Sequence, residues 1–276
     1  MREPRPRAAG TASDTTGPDG VQPGTDGRTM GPESEAIVGM ERGADGPWVS
    51  VVIPARNEEA YIAAAIESVA SQTLPPGRIE VIVAVNATTD RTVGVVRQTA
   101  SRHPELEVRV LEDPVAGVAR AKNRGARAAR GSVLAFLDAD SRMAPDLLEQ
   151  IVRHSADGAP AGSVWMIADS ADLIDRGFFS IIELGKRLFA IRANMLYCRR
   201  DIFLEAGGFD ERLHQAEDRD FLVRLQRRGV AVTHLRDSWI ATSPRRLHEG
   251  PFRVGLVRVF ARWALGHAGI WRDRPY

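Results

Sequence analysis

Short apolar runs alternate with amphipathic stretches along most of the chain. Four runs in the first half have the length and composition of buried strands: 49–53, 79–85, 108–111 and 133–137. Between the first two runs, one apolar helix face is formed by residues at spacings of three and four: Ile62, Ala65, Ile66 and Val69. A basic, Ala-rich helix is expected over 117–130. This order predicts an α/β fold with a mostly parallel sheet flanked by helices.

The second half of the chain has a different pattern, with shorter elements and more aromatic residues. Strands are predicted at 163–167, 193–198 and 230–235. Helices are predicted at 145–154, 175–190 and 200–206, and a further one from the apolar spacing of Phe221, Leu222 and Leu225. Gly207 and Gly208 are typical of a helix end.

Composition narrows the class of protein. The formal net charge is +1, which gives no reason to expect nucleic acid as a partner. A single cysteine, Cys198, excludes a disulfide framework, and we expect it to be a buried small side chain. No apolar run approaches the roughly 20 residues of a membrane span. We therefore expect a cytoplasmic protein, with residues 1–46, rich in Gly, Pro and Thr, as a disordered tail.

Two carboxylates follow the most apolar of the predicted strands. The stretch 131–141 reads GSVLAFLDADS, which places Asp138 and Asp140 where the strand stops. Strand alternation would aim both side chains to one side, where they repel each other unless a cation lies between them. A divalent cation that carries a diphosphate meets this need, since hard cations take oxygen ligands. The alternative is a plain Asx turn at the strand end.

Polar turns also follow the first two strands, and strand ends are where α/β folds bind ligands. The first turn contains Arg56 and Glu58, with Asn57 as the N-cap of the next helix if the turn is only a connection. The second contains Asn86 and Asp90, which either bond a base or ribose or serve as an Asx turn and an N-cap.

Further charged residues have two interpretations each. Lys122 precedes the carboxylate strand and suits a diphosphate, whereas a solvated helix face explains most of the arginines around it. Asp218 lies among acids in the first turn of a helix, which the helix dipole favours in any case. Arg245 and Arg246 after a proline form either a diphosphate clamp or a surface turn. His248 is expected to be a loop histidine, with metal binding as the alternative.

Residues 251–265 carry apolar positions at helical spacing with interleaved arginines. This pattern predicts a helix packed on the domain, with a basic amphipathic helix on a membrane surface as the alternative.

Taken together, the motifs resemble those of family 2 glycosyltransferases, which have the GT-A fold. The resemblance covers residues 48–263, and its parts come in the order of the family. They are VSVVIPARNEEAYI, NATTDRT, AKNRGARAARGSVLAFLDAD, GGFDE and EDRDFLVRLQRRG. It implies a GT-A domain at 47–265, divided into a nucleotide-sugar-binding half (47–145), an acceptor-side half (146–250) and the amphipathic helix (251–265), followed by a tail at 266–276.

The resemblance also implies a donor site. Its members are the residues that would line the base and ribose pocket or meet the nucleotide and diphosphate: Pro54, Ala55, Arg56, Glu58, Asn86, Asp90, Lys122, Asp138, Arg245 and Arg246. Asn86 replaces the usual Asp, and Val85 stands where another Asp is common, so the base that is read stays open. Lys122 stands where the family has Arg. The chain lacks the Gln-x-x-Arg-Trp box of the processive synthases, and Arg245 and Arg246 are expected to do part of its work.

For the chemistry, the resemblance implies that Asp138 and Asp140 hold Mg²⁺ or Mn²⁺, with Asp140 favoured as the direct ligand. Asp218 would be the general base of an inverting transfer from a nucleotide-sugar, with a UDP-sugar favoured over GDP-mannose. The acceptor would be a hydroxyl of a glycan, a lipid-linked molecule or a small molecule. Two other classes stay open: a nucleotidyltransferase, which would release pyrophosphate, and a non-catalytic nucleotide-binding scaffold.

Overall fold

The computed structural model describes residues 48–188 and 195–248. Within these residues the strands are β1 (Val49–Ala55), β2 (Ile79–Asn86), β3 (Glu107–Asp113), β4 (Val133–Phe136), β5 (Ser141–Met143), β6 (Ala161–Ala168), β7 (Leu196–Arg199) and β8 (Val232–Thr242). The α-helices are α1 (Ile62–Ala70), α2 (Thr92–Arg102), α3 (Val118–Ala128), α4 (Leu147–Ala156), α5 (Leu173–Leu188), α6 (Arg200–Glu205) and α7 (Glu217–Arg227). Two 3₁₀ turns lie at Pro76–Arg78 and Pro244–Leu247.

All the described strands form one mixed sheet, in the order β3-β2-β1-β4-β7-β6-β8-β5. The pairings β1–β2, β1–β4, β2–β3 and β6–β8 are parallel, and β4–β7, β6–β7 and β5–β8 are antiparallel. The first half of the chain thus forms a wholly parallel layer, and the second half adds strands of both directions. This confirms the α/β class and the mostly parallel sheet.

The register of the sheet brings three strand ends to one edge. Ala55 is paired with Val85, and Val52 is paired with Phe136. Every residue of β1, β2 and β4 is buried, as expected for parallel strands covered by helices on both faces. The turns after these strands therefore lie side by side, as α/β ligand sites require.

Helix α3 packs closely on this parallel layer. A Cβ added at Gly125 would lie 2.3 Å from Cγ1 of Val52, so only glycine allows the helix to approach so near. On the same face of the sheet, a cluster of phenylalanine rings joins β4 to α6, to the loop after it and to α7. Neighbouring centroids lie 4.9–5.2 Å apart, and the rings belong to Phe136, Phe203, Phe209 and Phe221. This packing fixes α7 relative to β4.

Several predicted boundaries differ from the observed ones. Strand β4 ends at Phe136, one residue early, and β8 runs to Thr242, well past the predicted end at residue 235. Strand β5 was not predicted, because it has three residues and Arg142 in its centre. Cys198 is buried in β7 as expected, and burial raises the pKa of its thiol.

Five predictions lie wholly or partly outside the described residues: the tails at 1–46 and 266–276, the helix at 251–265, the end of the helix at 175–190 and the start of the strand at 193–198. Among the described helices, none combines the length and the hydropathy needed to cross a bilayer.

Candidate active site

The turns after β1 and β2 are bound to each other by hydrogen bonds. Asn57 has a left-handed backbone with φ +55°, and its Oδ1 accepts from the Thr89 N–H at 2.9 Å. The Glu59 N–H donates to Oδ2 of Asp90 at 3.1 Å. Asn57 is therefore not an N-cap, since α1 begins later, after Tyr61, and the side chain of Asn57 fixes the neighbouring turn instead.

The two predicted nucleotide-binding residues of the second turn both contact the protein itself. Oδ1 of Asp90 also accepts from the backbone and hydroxyl of Thr92, at 2.9 and 2.5 Å. Burial acts to raise the pKa of Asp90, but these hydrogen bonds outweigh it and the pKa lies below its usual range. Nδ2 of Asn86 donates to the Gly117 carbonyl at 2.9 Å, just before α3. Both residues hold the loops at the edge of the sheet.

The three predicted residues at the end of β1 differ in exposure. Pro54 and Ala55 are buried as its last two residues, whereas Arg56 is exposed in the turn. Pro54 and Ala55 therefore lie within the sheet at the end of β1, and Arg56 lies on the surface next to it.

Lys122 is the centre of a buried ion cluster, which we call the lysine centre. Its Nζ donates to Oε1 of Glu217 at 2.8 Å and to Oδ1 of Asp218 at 2.9 Å, and it lies 5.5 Å from the ring centroid of Phe209. The lysine is 3% exposed. Burial acts to lower its pKa, but Asp218 and Glu217 hold the pKa of Lys122 well above its usual value. The lysine is therefore charged.

Asp218 has the electrostatic properties of a general base. Burial raises the pKa of its carboxyl to about 7, with Glu217 and Asp138 adding to the effect and Lys122 opposing it. A base near neutral pKa combines a usable ionised fraction with a high proton affinity. The residue before this pair, Ala216, has φ +59°, a backbone conformation that costs a non-glycine residue free energy and that is found mostly at functional sites.

Asn123, next to Lys122 on α3, holds the loop before α7. Its Oδ1 accepts from the Phe209 N–H at 2.9 Å, and its Nδ2 donates to the Phe209 carbonyl at 2.9 Å and to Oε1 of Glu211 at 3.0 Å. A Cβ at Gly208 would lie 2.6 Å from Oδ1 of Asn123, so this approach requires glycine. Adjacent residues of α3 thus fix both the loop and the Asp218 carboxylate.

Arg245 forms a second ion cluster, which we call the arginine centre. Its Nη2 lies 2.6 Å from Oε1 of Glu58 and 3.0 Å from Oδ2 of Asp140, and its guanidinium lies 4.4 Å over the ring of Tyr61. Burial acts against its charge, but Glu58 and Asp140 raise the pKa of Arg245. The other oxygen of Glu58, Oε2, is buried without a hydrogen-bond partner among the described residues. Buried carboxylate oxygens are seldom left so, and a ligand would supply the donor.

The two aspartates of the DAD sequence point to different surroundings. Asp138 is exposed and acts electrostatically on the lysine centre, whereas Asp140 is half-buried and belongs to the arginine centre. Because β4 has ended before either residue, strand alternation does not decide their directions. Residues 138–140 therefore connect the lysine centre to the arginine centre. Arg246 lies in the 3₁₀ turn beside Arg245, and His248 binds the Asp175 carboxylate at 3.0 Å.

The donor atoms fit a hard divalent cation bound together with a ligand. Within 48–188 and 195–248, no three His, Cys, Asp or Glu side chains form a group that would hold a metal by themselves. Mg²⁺ is commonly bound by one or two carboxylates together with substrate phosphates, and Asp138 and Asp140 offer such a pair.

Several contacts of the site were not predicted from the sequence. Glu217 as a partner of Lys122, Asn123 as the loop anchor and Tyr61 beneath Arg245 all depend on tertiary packing. Glu58 and Arg245 are separated by 187 positions in the chain. The available signal was charge sign, because Lys122, one of only two lysines, and the acids Glu217 and Asp218 can pair.

Comparison with known proteins identifies the family. The model of "Glycosyl transferase family 2" matches residues 50–204. The chain is 31% identical over 239 residues to "Glycosyltransferase AglE" of Haloferax volcanii, which covers 82% of this chain and 77% of that protein. Some relatives are much longer, and the matched region spans 19% of the chondroitin synthase of Pasteurella multocida, with 27% identity.

Two solved structures share the fold of this chain. The mannosyltransferase PcManGT of Pyrobaculum calidifontis, in complex with GDP-Man and Mn²⁺, has a TM-score of 0.59 and 21% identity, covering 87% of this chain and 75% of its own. S. aureus TarS in complex with UDP has a TM-score of 0.55 and 19% identity, covering 79% of this chain and 65% of its own. At these identities the likeness establishes the fold, which is GT-A. The chain therefore belongs to glycosyl transferase family 2, and of the three classes that the sequence left open it is a glycosyltransferase.

Proposed function

We propose that this glycosyltransferase moves a sugar from a nucleotide-sugar, a UDP-sugar before GDP-mannose, to an acceptor hydroxyl with inversion at the anomeric carbon. The observation that carries the proposal is the Asp218 carboxylate, held by Lys122 at 2.9 Å and raised in pKa to about 7. This arrangement keeps a base oriented at the edge of the sheet where the strand-end turns meet.

Asp218 is the proposed general base. The acceptor oxygen forms a bond to the anomeric carbon while its proton passes to the Asp218 carboxylate. The bond from the anomeric carbon to the diphosphate oxygen breaks, and the nucleoside diphosphate leaves with that electron pair. Asp218 then releases the proton to solvent. Attack opposite to the leaving group gives the inverted product.

The proposed donor site extends along the same edge. Pro54, Ala55, Arg56 and Glu58 would line the base and ribose pocket, and the buried Oε2 of Glu58 supports a ligand donor there. Arg245 suits a diphosphate, because a guanidinium binds phosphate oxygens in a bidentate manner. Arg246, Asn86, Asp90 and Lys122 complete the proposed set. The UDP and GDP-Man complexes of the two structural neighbours are consistent with a nucleotide-sugar donor.

Asp138 and Asp140 are the proposed holders of Mg²⁺ or Mn²⁺. When bound, the cation would supply Lewis-acid stabilisation of charge on the leaving diphosphate. Among the described residues, Lys122 acts electrostatically on Asp138 and Arg245 pairs with Asp140.

The acceptor is proposed by class only: a hydroxyl of a glycan, a lipid-linked molecule or a small molecule, bound by the half at 146–250. A cytoplasmic enzyme with peripheral membrane contact through 251–265 would suit a lipid-linked acceptor.

The test of the base compares Asp218→Asn with Asp220→Asn. Asp220 lies in the same helical turn, and its carboxylate binds Arg224 at 2.8 Å, away from the lysine centre. We expect Asp218→Asn to lower the rate of nucleoside diphosphate release by about 100-fold or more, since a general base contributes roughly 10²–10⁴. Donor affinity should be kept. Near-normal turnover by Asp218→Asn, or equal losses in both variants, would show that another group is the base.

The donor and the cation are tested by thermal shift with UDP, GDP, UDP-glucose, UDP-GlcNAc and GDP-mannose, each with Mn²⁺ or EDTA. A ligand that binds only the folded protein raises the melting temperature by mass action. We expect a shift with uridine nucleotides that requires Mn²⁺ and that is lost in Asp140→Ala. A shift that persists in EDTA would contradict the cation, and a shift with guanosine nucleotides alone would replace the uridine assignment.

A further inference from the structure

Helix α5 carries apolar side chains on its outer side as well as on its inner side, where Phe178, Phe179 and Ile182 are buried in a small core cluster. Four aliphatic side chains on one side are 53–79% exposed: Leu173, Ile174, Ile181 and Leu184. We call them the apolar stripe. Its charged residues Asp175, Glu183 and Lys186 are instead buried, with exposures of 0–2%. A surface helix normally exposes charged residues and buries aliphatic ones, so the exposed aliphatic side and the buried charges of this helix suit contact with an apolar medium.

Contacts on the inner side fix this orientation. Asp175 is bound by Nε2 of His248 at 3.0 Å, and Glu183 pairs with Lys186 in the same helix. Nε2 of His234, on β8, lies 3.4 Å from the other oxygen of Glu183. Turning the helix to bury the stripe would separate Asp175 from His248 and Glu183 from His234. The exposure of the stripe is therefore a property of the fold.

The exposed side of α5 also has one sign of charge. Arg176 and Arg187 are exposed, whereas both acids of the helix, Asp175 and Glu183, are buried. Neither guanidinium is in an ion pair with a carboxylate among the described residues. Helices that lie on anionic bilayers typically expose aliphatic side chains next to arginines, without acidic residues between them.

Charge argues against two other occupants of the stripe. The segment at 251–265 contains Arg253, Arg258 and Arg262 and no acid, so packing it on α5 would bring like charges together. A second copy of the chain, joined through α5, would likewise place arginines against arginines. An anionic partner matches the charge of the exposed side.

We infer that α5 lies along the surface of a bilayer that contains anionic lipid, with the apolar stripe in the acyl boundary and Arg176 and Arg187 among the headgroups. The inference does not depend on the donor or the base. It rests on exposed residues of the helix, whose substitution leaves the core unchanged.

The experiment is flotation of the full chain with vesicles of phosphatidylcholine, alone or with phosphatidylglycerol. We expect binding to the anionic vesicles that falls with salt. In Ile181→Ser/Leu184→Ser it should weaken at least about tenfold, because two aliphatic side chains leave the boundary. Arg176→Gln/Arg187→Gln should weaken it about tenfold or more, since each arginine near such a surface contributes to the attraction. Leu204→Ser, which removes an exposed aliphatic side chain on α6, is the matched control and should bind like the original chain.

Three results would overturn the inference. One is the absence of binding to either vesicle, and another is binding that the α5 variants leave unchanged. The third is a large fall in the melting temperature, or dissociation of a dimer, in Ile181→Ser/Leu184→Ser, which would show that the stripe is covered by protein. An unchanged circular dichroism spectrum and an unchanged melting temperature in the same variants would confirm that the fold is intact.

Discussion

The lysine centre and the arginine centre lie at neighbouring points of one sheet edge, but they are built differently. The Lys122 side chain is 4% exposed and binds two acids that follow it by 95 and 96 positions. The Arg245 side chain is 26% exposed, lies against an aromatic ring and leaves one oxygen of its partner Glu58 without a hydrogen bond. The charges of the lysine centre are buried and paired within the protein. In the arginine centre, one oxygen of Glu58 has no hydrogen-bond partner among the described residues and could accept one from a ligand.

This difference suggests a division of labour between the centres. A buried and fully paired lysine fixes the position and the pKa of Asp218 before any substrate binds, which is preorganisation. A half-buried arginine that shares its donors between Glu58 and Asp140 can exchange them for phosphate oxygens. Substitutions at Lys122 should therefore act on folding and on the base, and substitutions at Arg245 should act on donor binding.

The largest effect is expected for Lys122→Met. It leaves Glu217 and Asp218 as uncompensated buried carboxylates, and breaking a buried pair in this way costs about 3–5 kcal/mol. The free energy of unfolding in urea measures the loss. Lys122→Arg is the control, since it keeps the charge and should retain most of the stability. A loss below about 1 kcal/mol in Lys122→Met would show that the centre is not closed.

Arg245→Gln should have a smaller effect, and on binding rather than folding. We expect donor affinity to fall about 10- to 100-fold, because a hydrogen bond to a charged group contributes roughly 1.5–3 kcal/mol. The unfolding free energy should change by less than about 1 kcal/mol, as for other partly exposed pairs. Titration calorimetry with the donor measures the first quantity. Arg142→Gln, at an exposed pair with Asp169, is the control. A large loss of stability with unchanged affinity would reverse the assignment of the two centres.

Glu217→Gln is expected to have the smallest effect. The amide keeps an oxygen for Lys122 but removes a negative charge that raises the pKa of Asp218. The acid limb of the pH–rate profile should therefore move to lower pH, by roughly half a unit to one unit. Rates at high pH should stay near those of the original enzyme. A move to higher pH would mean that Glu217 does not act on the base by its charge.

The sequence predicted the features of this molecule that depend on local pattern. Apolar runs located β1, β2 and β4, and the polar turns after them were correctly placed at strand ends. Short motifs identified Asp138, Asp140 and Asp218 as candidate site residues. Such motifs can be read from residue type and spacing alone. The family and the fold followed from the order of the motifs, and both are confirmed.

Features that depend on distant packing were not predictable in the same way. The role of Lys122 at a diphosphate stays a prediction, and its contacts with Glu217 and Asp218 were not foreseen, because they depend on the meeting of α3 with the start of α7. Asn86 and Asp90 were expected at the nucleotide, and their side chains hold the protein's own loops. The outward apolar side of α5 was also missed, since a helical period shows a face without showing which way it points.

The pH dependence of kcat/KM for nucleoside diphosphate release tests the central claim most directly. As the proposed base, Asp218 has to be ionised to accept the acceptor proton, and its pKa in the free enzyme is about 7, so the rate should rise with pH through that value and then level off. An acid limb near the usual pKa of a carboxyl, about 4, or a profile without an acid limb, would show that the base is not the raised carboxylate of the lysine centre.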